Sequence, residues 1–146
     1  MDTQPNRYVA IVDDDESLCR SFGRLLRTVG FQPVTYASAE AFLDDAKRPQ
    51  FDCLLLDIQM GGISGIELRH RLSAVKDQTP VIFITAHDSP EVRAEAIASG
   101  CAGYFGKTDS GAEILDLIRR ITGASTPEDH TTQEDHSTHF SNHENQ

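Results

Sequence analysis

Apolar positions along the chain fall into two alternating patterns. Short runs that are apolar or β-branched nearly throughout stand at Tyr8-Val9-Ala10-Ile11-Val12, Gln32-Pro33-Val34-Thr35-Tyr36, Cys53-Leu54-Leu55-Leu56, Val81-Ile82-Phe83-Ile84 and Gly103-Tyr104-Phe105. Runs of this length and composition predict β-strands. Each is followed by a stretch with helical spacing. Leu18, Phe22, Leu25, Leu26 and Val29 recur at steps of three and four, which places them on one face, and Gly30 supplies a left-handed stop. The second helix is predicted over 39–47, capped by Ser38, with Phe42, Leu43 and Ala46 turned inward. Ser64 with Glu67, and Ser110 with Glu113, have the spacing of a capping box and open helices through Leu72 and through Ile121. Ser89-Pro90 is a cap followed by proline at the first helical position, and Gly100 ends that helix.

Five strands alternating with five helices imply right-handed crossovers and a parallel sheet covered on both faces. Runs such as Cys53-Leu54-Leu55-Leu56, apolar at every position, fit strands buried on both sides. A closed barrel of this kind needs eight units, so the expected fold is an α/β, doubly wound, open five-stranded parallel sheet. Ligands of such sheets bind just beyond the carboxyl ends of the strands.

Charge and composition narrow the partners. The chain has 146 residues, about one domain, with 23 acidic against 13 basic residues and a formal charge of −10. A surface of that sign repels polyanions, which argues against direct nucleic-acid binding. The apolar runs are far too short to span a bilayer, and residues 1–6 lack the basic and apolar regions of a signal peptide, so the expectation is a cytoplasmic protein without a membrane partner. Cys19, Cys53 and Cys101 form no close pair, which suits reduced, buried thiols better than a disulfide framework or a zinc site. Residues 123–146 carry Glu128, Asp129, Glu134, Asp135 and Glu144 with no Lys or Arg, four histidines, and Phe140 as the one large apolar side chain. Such a segment cannot bury enough surface to offset its ordering entropy, so 123–146 is expected to be an acidic, histidine-containing disordered tail, as are residues 1–6 at the other end.

The residues leaving each predicted strand carry chemistry. Asp13, Asp14, Asp15 and Glu16 follow the first strand, Asp57 the third, Thr85 the fourth and Lys107 the fifth. Taken singly, each has an ordinary explanation: acids before a helix complement its dipole, an Asp after a strand caps or turns, and a Lys is solvated. Their appearance together at one rim is harder to explain that way. Clustered carboxylates repel, and a hard divalent cation such as Mg²⁺, held by one or two carboxylates plus other oxygens, relieves the repulsion. Lys107, one of three lysines, is a candidate phosphate-binding point charge.

The motifs Ile11-Val12-Asp13-Asp14-Asp15, Leu55-Leu56-Asp57-Ile58-Gln59-Met60, Ile84-Thr85-Ala86 and Tyr104-Phe105-Gly106-Lys107 resemble, in order and spacing, the receiver domain of two-component response regulators. Ser17-Leu18-Cys19-Arg20-Ser21-Phe22 and Ala37-Ser38-Ala39-Glu40-Ala41-Phe42-Leu43 look most like receivers of the FixJ type. The resemblance spans about 7–122 and implies a flavodoxin-like sheet of strand order 2-1-3-4-5. It implies that Asp57 accepts a phosphoryl group from a histidine kinase or histidine phosphotransfer protein. It further implies that Asp13, Asp14, Asp57 and the Gln59 backbone carbonyl hold Mg²⁺, that Lys107 pairs with the acyl phosphate, and that Thr85 and Tyr104 form a switch pair. In that switch Thr85 shifts toward the phosphate and Tyr104 then turns inward.

Two positions depart from the family pattern. Thr108 stands where a proline in a cis peptide usually follows the lysine, and a cis bond before threonine would cost about 3–4 kcal/mol. Gly61-Gly62 replaces the usual proline after the methionine, which is expected to loosen the loop beside the site. The expected function is a stand-alone phosphoacceptor whose output is contact with a downstream protein. A phosphorylation-dependent homodimer is one form that output could take. Beyond phosphoryl transfer to its own Asp57 and slow self-dephosphorylation, no enzymatic activity is expected. The alternatives are the receiver piece of a longer DNA-binding transcription regulator and a phosphatase of the haloacid dehalogenase kind. The latter wants a second aspartate two residues after the nucleophile, where this chain has Gln59.

Overall fold

The computed structural model describes residues 7–109 and 111–123. Along the chain run β1 (Tyr8–Val12), α1 (Glu16–Thr28), β2 (Gln32–Tyr36), α2 (Ala39–Asp44), β3 (Cys53–Asp57), α3 (Gly65–Ala74), β4 (Val81–Thr85), α4 (Pro90–Ala98), β5 (Gly103–Gly106) and α5 (Gly111–Thr122). All strand pairs are parallel, and the sheet order is β2-β1-β3-β4-β5. The expected doubly wound α/β architecture and its strand order are therefore both present.

Alternation along the central strands feeds two separate cores. Ala10, Val12, Leu54, Leu56, Val81 and Phe83 pack with Phe42, Leu68 and Ala96 on one face. Val9, Ile11, Cys53, Leu55, Ile82 and Ile84 pack with Phe22, Leu26, Ile114 and Ile118 on the other. A strand that must be apolar on both faces reads as a continuous apolar run, and β3 and β4 are buried at every residue.

The helix ends follow local chemistry. Asp15, Ser38, Ser64 and Ser89 sit in extended backbone, and their side chains accept hydrogen bonds from the amides three residues on, at Leu18, Ala41, Glu67 and Val92. Gly30 and Gly100 follow their helices at φ of 95° and 85°. The expected Ser110 cap and the tail beyond Gly123, like residues 1–6, lie outside the described residues.

Three local expectations are corrected. The second helix stops at Asp44, not Lys47, and Ala46 is exposed. Tyr36 Oη donates to Asp45 Oδ2 at 2.7 Å, and one guanidinium nitrogen of Arg48 donates to the carbonyls of Phe42 and Asp45 at 3.2 and 3.3 Å, so the last turn is closed by side chains. Leu25, placed by periodicity on the inner face of α1, is 38% exposed. It stands beside Gly111 at the start of α5, at the margin of the α1–α5 contact. Finally, Asp57 and Thr85 are the last residues of their strands rather than the first residues beyond them.

Candidate functional site

Strand register brings the acidic and basic groups to one level. Val12 pairs with Leu56, so Asp13 and Asp57 follow side by side. Asp57 pairs with Ile84, and Thr85 pairs with Gly106, immediately before Lys107. Parity along the strands then sorts the side chains. Asp57 shares the parity of Cys53 and Leu55, whose core is completed by α1 and α5. Thr85 and Tyr104 share the opposite parity with Val81 and Phe83, toward α3 and α4. The carboxylate–ammonium group and the hydroxyl–phenol pair therefore occupy the same rim of the sheet from its two faces.

Lys107 Nζ lies 3.1 Å from Asp13 Oδ2 and 3.3 Å from Asp57 Oδ2. The two carboxylate side chains are 3% and 4% exposed, and the lysine side chain 17%. One ammonium thus serves two nearly buried carboxylates. The carboxylate oxygens of Asp13, the exposed Asp14 and Asp57 come within 4.8 Å of one another. The cluster carries a surplus negative charge, and its oxygen donors, drawn from two strand ends, suit a hard divalent cation such as Mg²⁺.

The acidic run after β1 divides by role. Asp13 and Asp14 belong to the cluster, while Asp15 caps α1 by accepting from Leu18 N at 3.1 Å and Glu16 sits in the first helical turn. Asp13 Oδ1 also accepts from Asp15 N at 2.9 Å, tying the cap to the cluster. Burial, with repulsion from Asp57 added, pushes the Asp13 carboxyl up to about 6 against the lowering pull of the Asp15 amide and Lys107. Burial opposes the charge on Lys107, but the hydrogen bond and charge of Asp13 and the charge of Asp57 together raise its pKa.

Thr85 is 1% exposed, and its hydroxyl oxygen accepts from His87 N at 3.0 Å. Its carbonyl accepts from Lys107 N at 2.9 Å, locking the ends of β4 and β5 together. Tyr104 is 7% exposed. Its ring is already buried, where the resemblance implies a turn inward upon phosphorylation; its hydroxyl donates to Asp88 Oδ1 at 2.7 Å and Arg93 covers its face at 4.6 Å. Gln59 lies two residues past Asp57, exposed in the connection to α3.

Several contributors escaped the sequence pattern. Glu40, in the first turn of α2, accepts from Ile63 N at 3.0 Å and its carboxylate stands against Gly62, which gives the Gly61-Gly62 loop one tie to α2. Gly65 opens α3 so close to β3 that an added Cβ would run into the Asp57 carbonyl oxygen. After Lys107, Gly106 N donates to Asp109 Oδ2 at 2.8 Å and Asp109 N to Gly106 O at 3.0 Å, which closes the turn around Thr108 with a trans peptide. Only the cap Ser64 hinted at Gly65, and nothing in the sequence pointed to Glu40, Asp88 or Arg93, because their partners are distant side chains and amides.

Of the three thiols, Cys19 borders the site, its Sγ donating to the Asp13 backbone carbonyl at 3.4 Å. Burial pushes Cys19 up to about 11 and Cys53 up to about 12, and raises Cys101 too. They remain protonated packing groups, and no disulfide joins them among the described residues.

Comparison with known proteins converges on one family. The model of the response regulator receiver domain matches residues 9–119. The response regulator protein TodT of Pseudomonas putida is 32% identical over 111 residues, covering 76% of this chain and 49% of TodT. The transcriptional regulatory protein FixJ of Azorhizobium caulinodans is 33% identical over 117 residues, covering 80% of this chain and 56% of FixJ. The chain thus spans about half the length of the curated relatives it matches. Among solved structures, a response regulator receiver protein from Burkholderia phymatum is 40% identical, covering 84% of this chain and 99% of that one with a TM-score of 0.71.

Proposed function

The chain belongs to the response regulator receiver domain family, and from that premise we propose that it is a Mg²⁺-dependent phosphoacceptor switch with Asp57 as the site of phosphorylation. The donor is a phosphohistidine on a histidine kinase or phosphotransfer protein. An Asp57 oxygen forms the new bond to phosphorus as the bond from phosphorus to the imidazole nitrogen breaks, and the electron pair leaves with the imidazole, which takes a proton. Asp13, Asp14, Asp57 and the Gln59 carbonyl would hold Mg²⁺, which when bound supplies the positive charge that lets phosphoryl and carboxylate oxygens approach. Lys107 holds Asp57 in place and neutralises the growing charge on the transferred group. Asp57 is consumed by the transfer, so the event is a signal and not a turnover. Thr85, one strand away, offers a hydroxyl to a phosphoryl oxygen and is the first residue to register the change.

The observation that carries this reading is the sharing of one lysine ammonium by two nearly buried carboxylates, at 3.1 and 3.3 Å, at the carboxyl end of a parallel sheet. Such a pairing is costly for stability alone and fits a group kept ready for an incoming dianion. We assign residues 7–122 to the receiver, with output by contact with another protein. A second reading has the same chemistry controlling a DNA-binding output. It is favoured by the transcriptional regulatory protein FixJ, which this chain matches over about half its length. The intact mass of the native gene product separates the two. Phosphatase chemistry of the haloacid dehalogenase kind has no such support, since Gln59 stands where its second aspartate would be. The test of the site is incubation with a small acyl phosphate and Mg²⁺, followed by intact-mass measurement. One phosphoryl group is gained, none after Asp57→Asn or with a chelator present, and a gain that persists in Asp57→Asn overturns the assignment.

A further inference from the structure

We propose that Glu40 is a positioning residue for the divalent cation: from α2, its carboxylate holds the tip of the connection between β3 and α3 and thereby fixes the backbone carbonyl of Gln59. The proposal rests on the reading that this carbonyl is a Mg²⁺ ligand. Glu40 itself lies outside the cluster of Asp13, Asp14 and Asp57.

Residues 58–64 join β3 to α3, and the fold fixes both ends of that connection. Asp57 is the last residue of β3 and pairs with Ile84. At the other end Gly65 N donates to the Ile58 carbonyl at 3.0 Å, which closes the base of the loop. Ile58 and Met60 are buried with Phe42 of α2 and Leu68 of α3, and Ile63 packs against the same core. The tip is Gly61-Gly62, both exposed, with Gly62 at a φ of 97°. Two successive glycines offer the core no side chain to hold, so packing leaves the backbone there its full freedom.

Glu40 supplies the missing restraint. Ile63 N donates to its Oε2 at 3.0 Å, across 23 residues of sequence. A Cβ at Gly62 would collide with the same carboxylate, so the close approach depends on glycine. The acceptor is ionised, which makes this bond stronger than one between neutral groups. The Ile63 amide first, then Glu40's own amide and the charge of Arg71 on α3, hold the Glu40 carboxyl below its usual pKa. Gln59 and Met60 share one planar peptide unit, so the Met60 amide turns whenever the Gln59 carbonyl turns. With the end of β3, the Ile58–Gly65 bond and the Ile63–Glu40 bond all made, that unit lies between fixed points. Loss of the Glu40 bond frees the glycine pair, and a cation must then order the loop as it binds.

Mg²⁺ titration of the full-length chain by calorimetry, together with the Met60 amide signal in NMR, tests this. Glu40→Ala should weaken Mg²⁺ binding by about 10-fold, the lower end of what a group that orients a metal ligand contributes. Glu40→Gln keeps an oxygen that accepts from Ile63 N but carries no charge, and it should bind Mg²⁺ as the wild type does. In metal-free protein the Met60 signal should shift and its amide exchange faster in Glu40→Ala, and return to the wild-type values in Glu40→Gln. Exchange of the β3 amides, equal in all three proteins, checks that they fold alike. Wild-type affinity in Glu40→Ala, or an unmoved Met60 signal in that variant, overturns the proposal. Equal weakening in both variants overturns it too, because the carboxylate then acts through its charge and not through the loop. A wild type that takes up no Mg²⁺ overturns the metal site itself, and the metal-free Met60 signal still decides whether Glu40 fixes the Gln59 carbonyl.

Discussion

Replacing Asp13 by asparagine should make the Mg²⁺-free protein more stable. The cluster holds two nearly buried carboxylates for one ammonium, and the Asp13 carboxyl is pushed from 3.8 up to about 6, with burial the leading cause. A rise of roughly two units means that ionising Asp13 inside the fold costs about 3 kcal/mol more than ionising it in the unfolded chain. Asparagine removes that cost. It can still accept from Asp15 N, and Lys107 keeps Asp57 at 3.3 Å, so no ammonium is orphaned. The value of about 6 already includes the pull of Lys107 on the Asp13 carboxylate, so the net gain is up to about 3 kcal/mol at neutral pH. For a domain of this size each kcal/mol is worth about 4 °C in Tm.

The pH dependence fixes the sign. Between about pH 4 and 6 the native Asp13 binds more protons than the unfolded one, so its contribution makes the wild type less stable as pH rises through that window. The asparagine variant lacks this term. Its advantage should be absent near pH 4, grow through about pH 6 and stay level above it. Urea unfolding in chelator at several pH values measures it, and added Mg²⁺ should stabilise the wild type alone and narrow or reverse the order. An Asp13→Asn protein less stable than wild type in chelator at neutral pH, or an advantage equal at both ends of the window, refutes the reasoning.

Other outcomes follow from the same geometry. Lys107→Ala removes the shared ammonium, and the initial rate of phosphoryl gain from a small acyl phosphate should drop by about 10²-fold or more, measured by intact mass. Gly65→Ala would push a methyl group into the Asp57 carbonyl, a backbone atom that cannot swing aside, and should destabilise by about 2 kcal/mol or more in urea unfolding. Glu40→Ala frees the Ile63 amide, and hydrogen exchange at Ile63 should quicken while the β3 amides keep their protection. An unchanged Ile63 rate would mean that Glu40 does not pin the loop.

Much of this molecule is set by local patterns. Continuous apolar runs and helical spacing specify which segments become strands and helices, and their strict alternation specifies parallel crossovers, because these are near-neighbour effects of backbone and burial. The capping serines and the glycine stops are legible for the same reason. So is the rim occupied by Asp13, Asp57, Thr85 and Lys107, since the residue leaving a strand is fixed by where its apolar run ends. Other features depend on contacts between segments distant in sequence. Helix periodicity put Leu25 and Ala46 inside, but whether a turn is covered depends on what packs over it, and the Asp45 and Arg48 side chains ended α2 before Ala46 could be. Register alone decided that Asp13 and Asp57 share one lysine and that Thr85 and Tyr104 approach from the opposite face. Tertiary placement also brought Glu40 to the Ile63 amide beside a glycine loop, and Asp88 and Arg93 to the hydroxyl and ring of Tyr104. Each of these is a single hydrogen bond or ring contact whose two halves carry no periodic signal, so only the folded chain brings them into view.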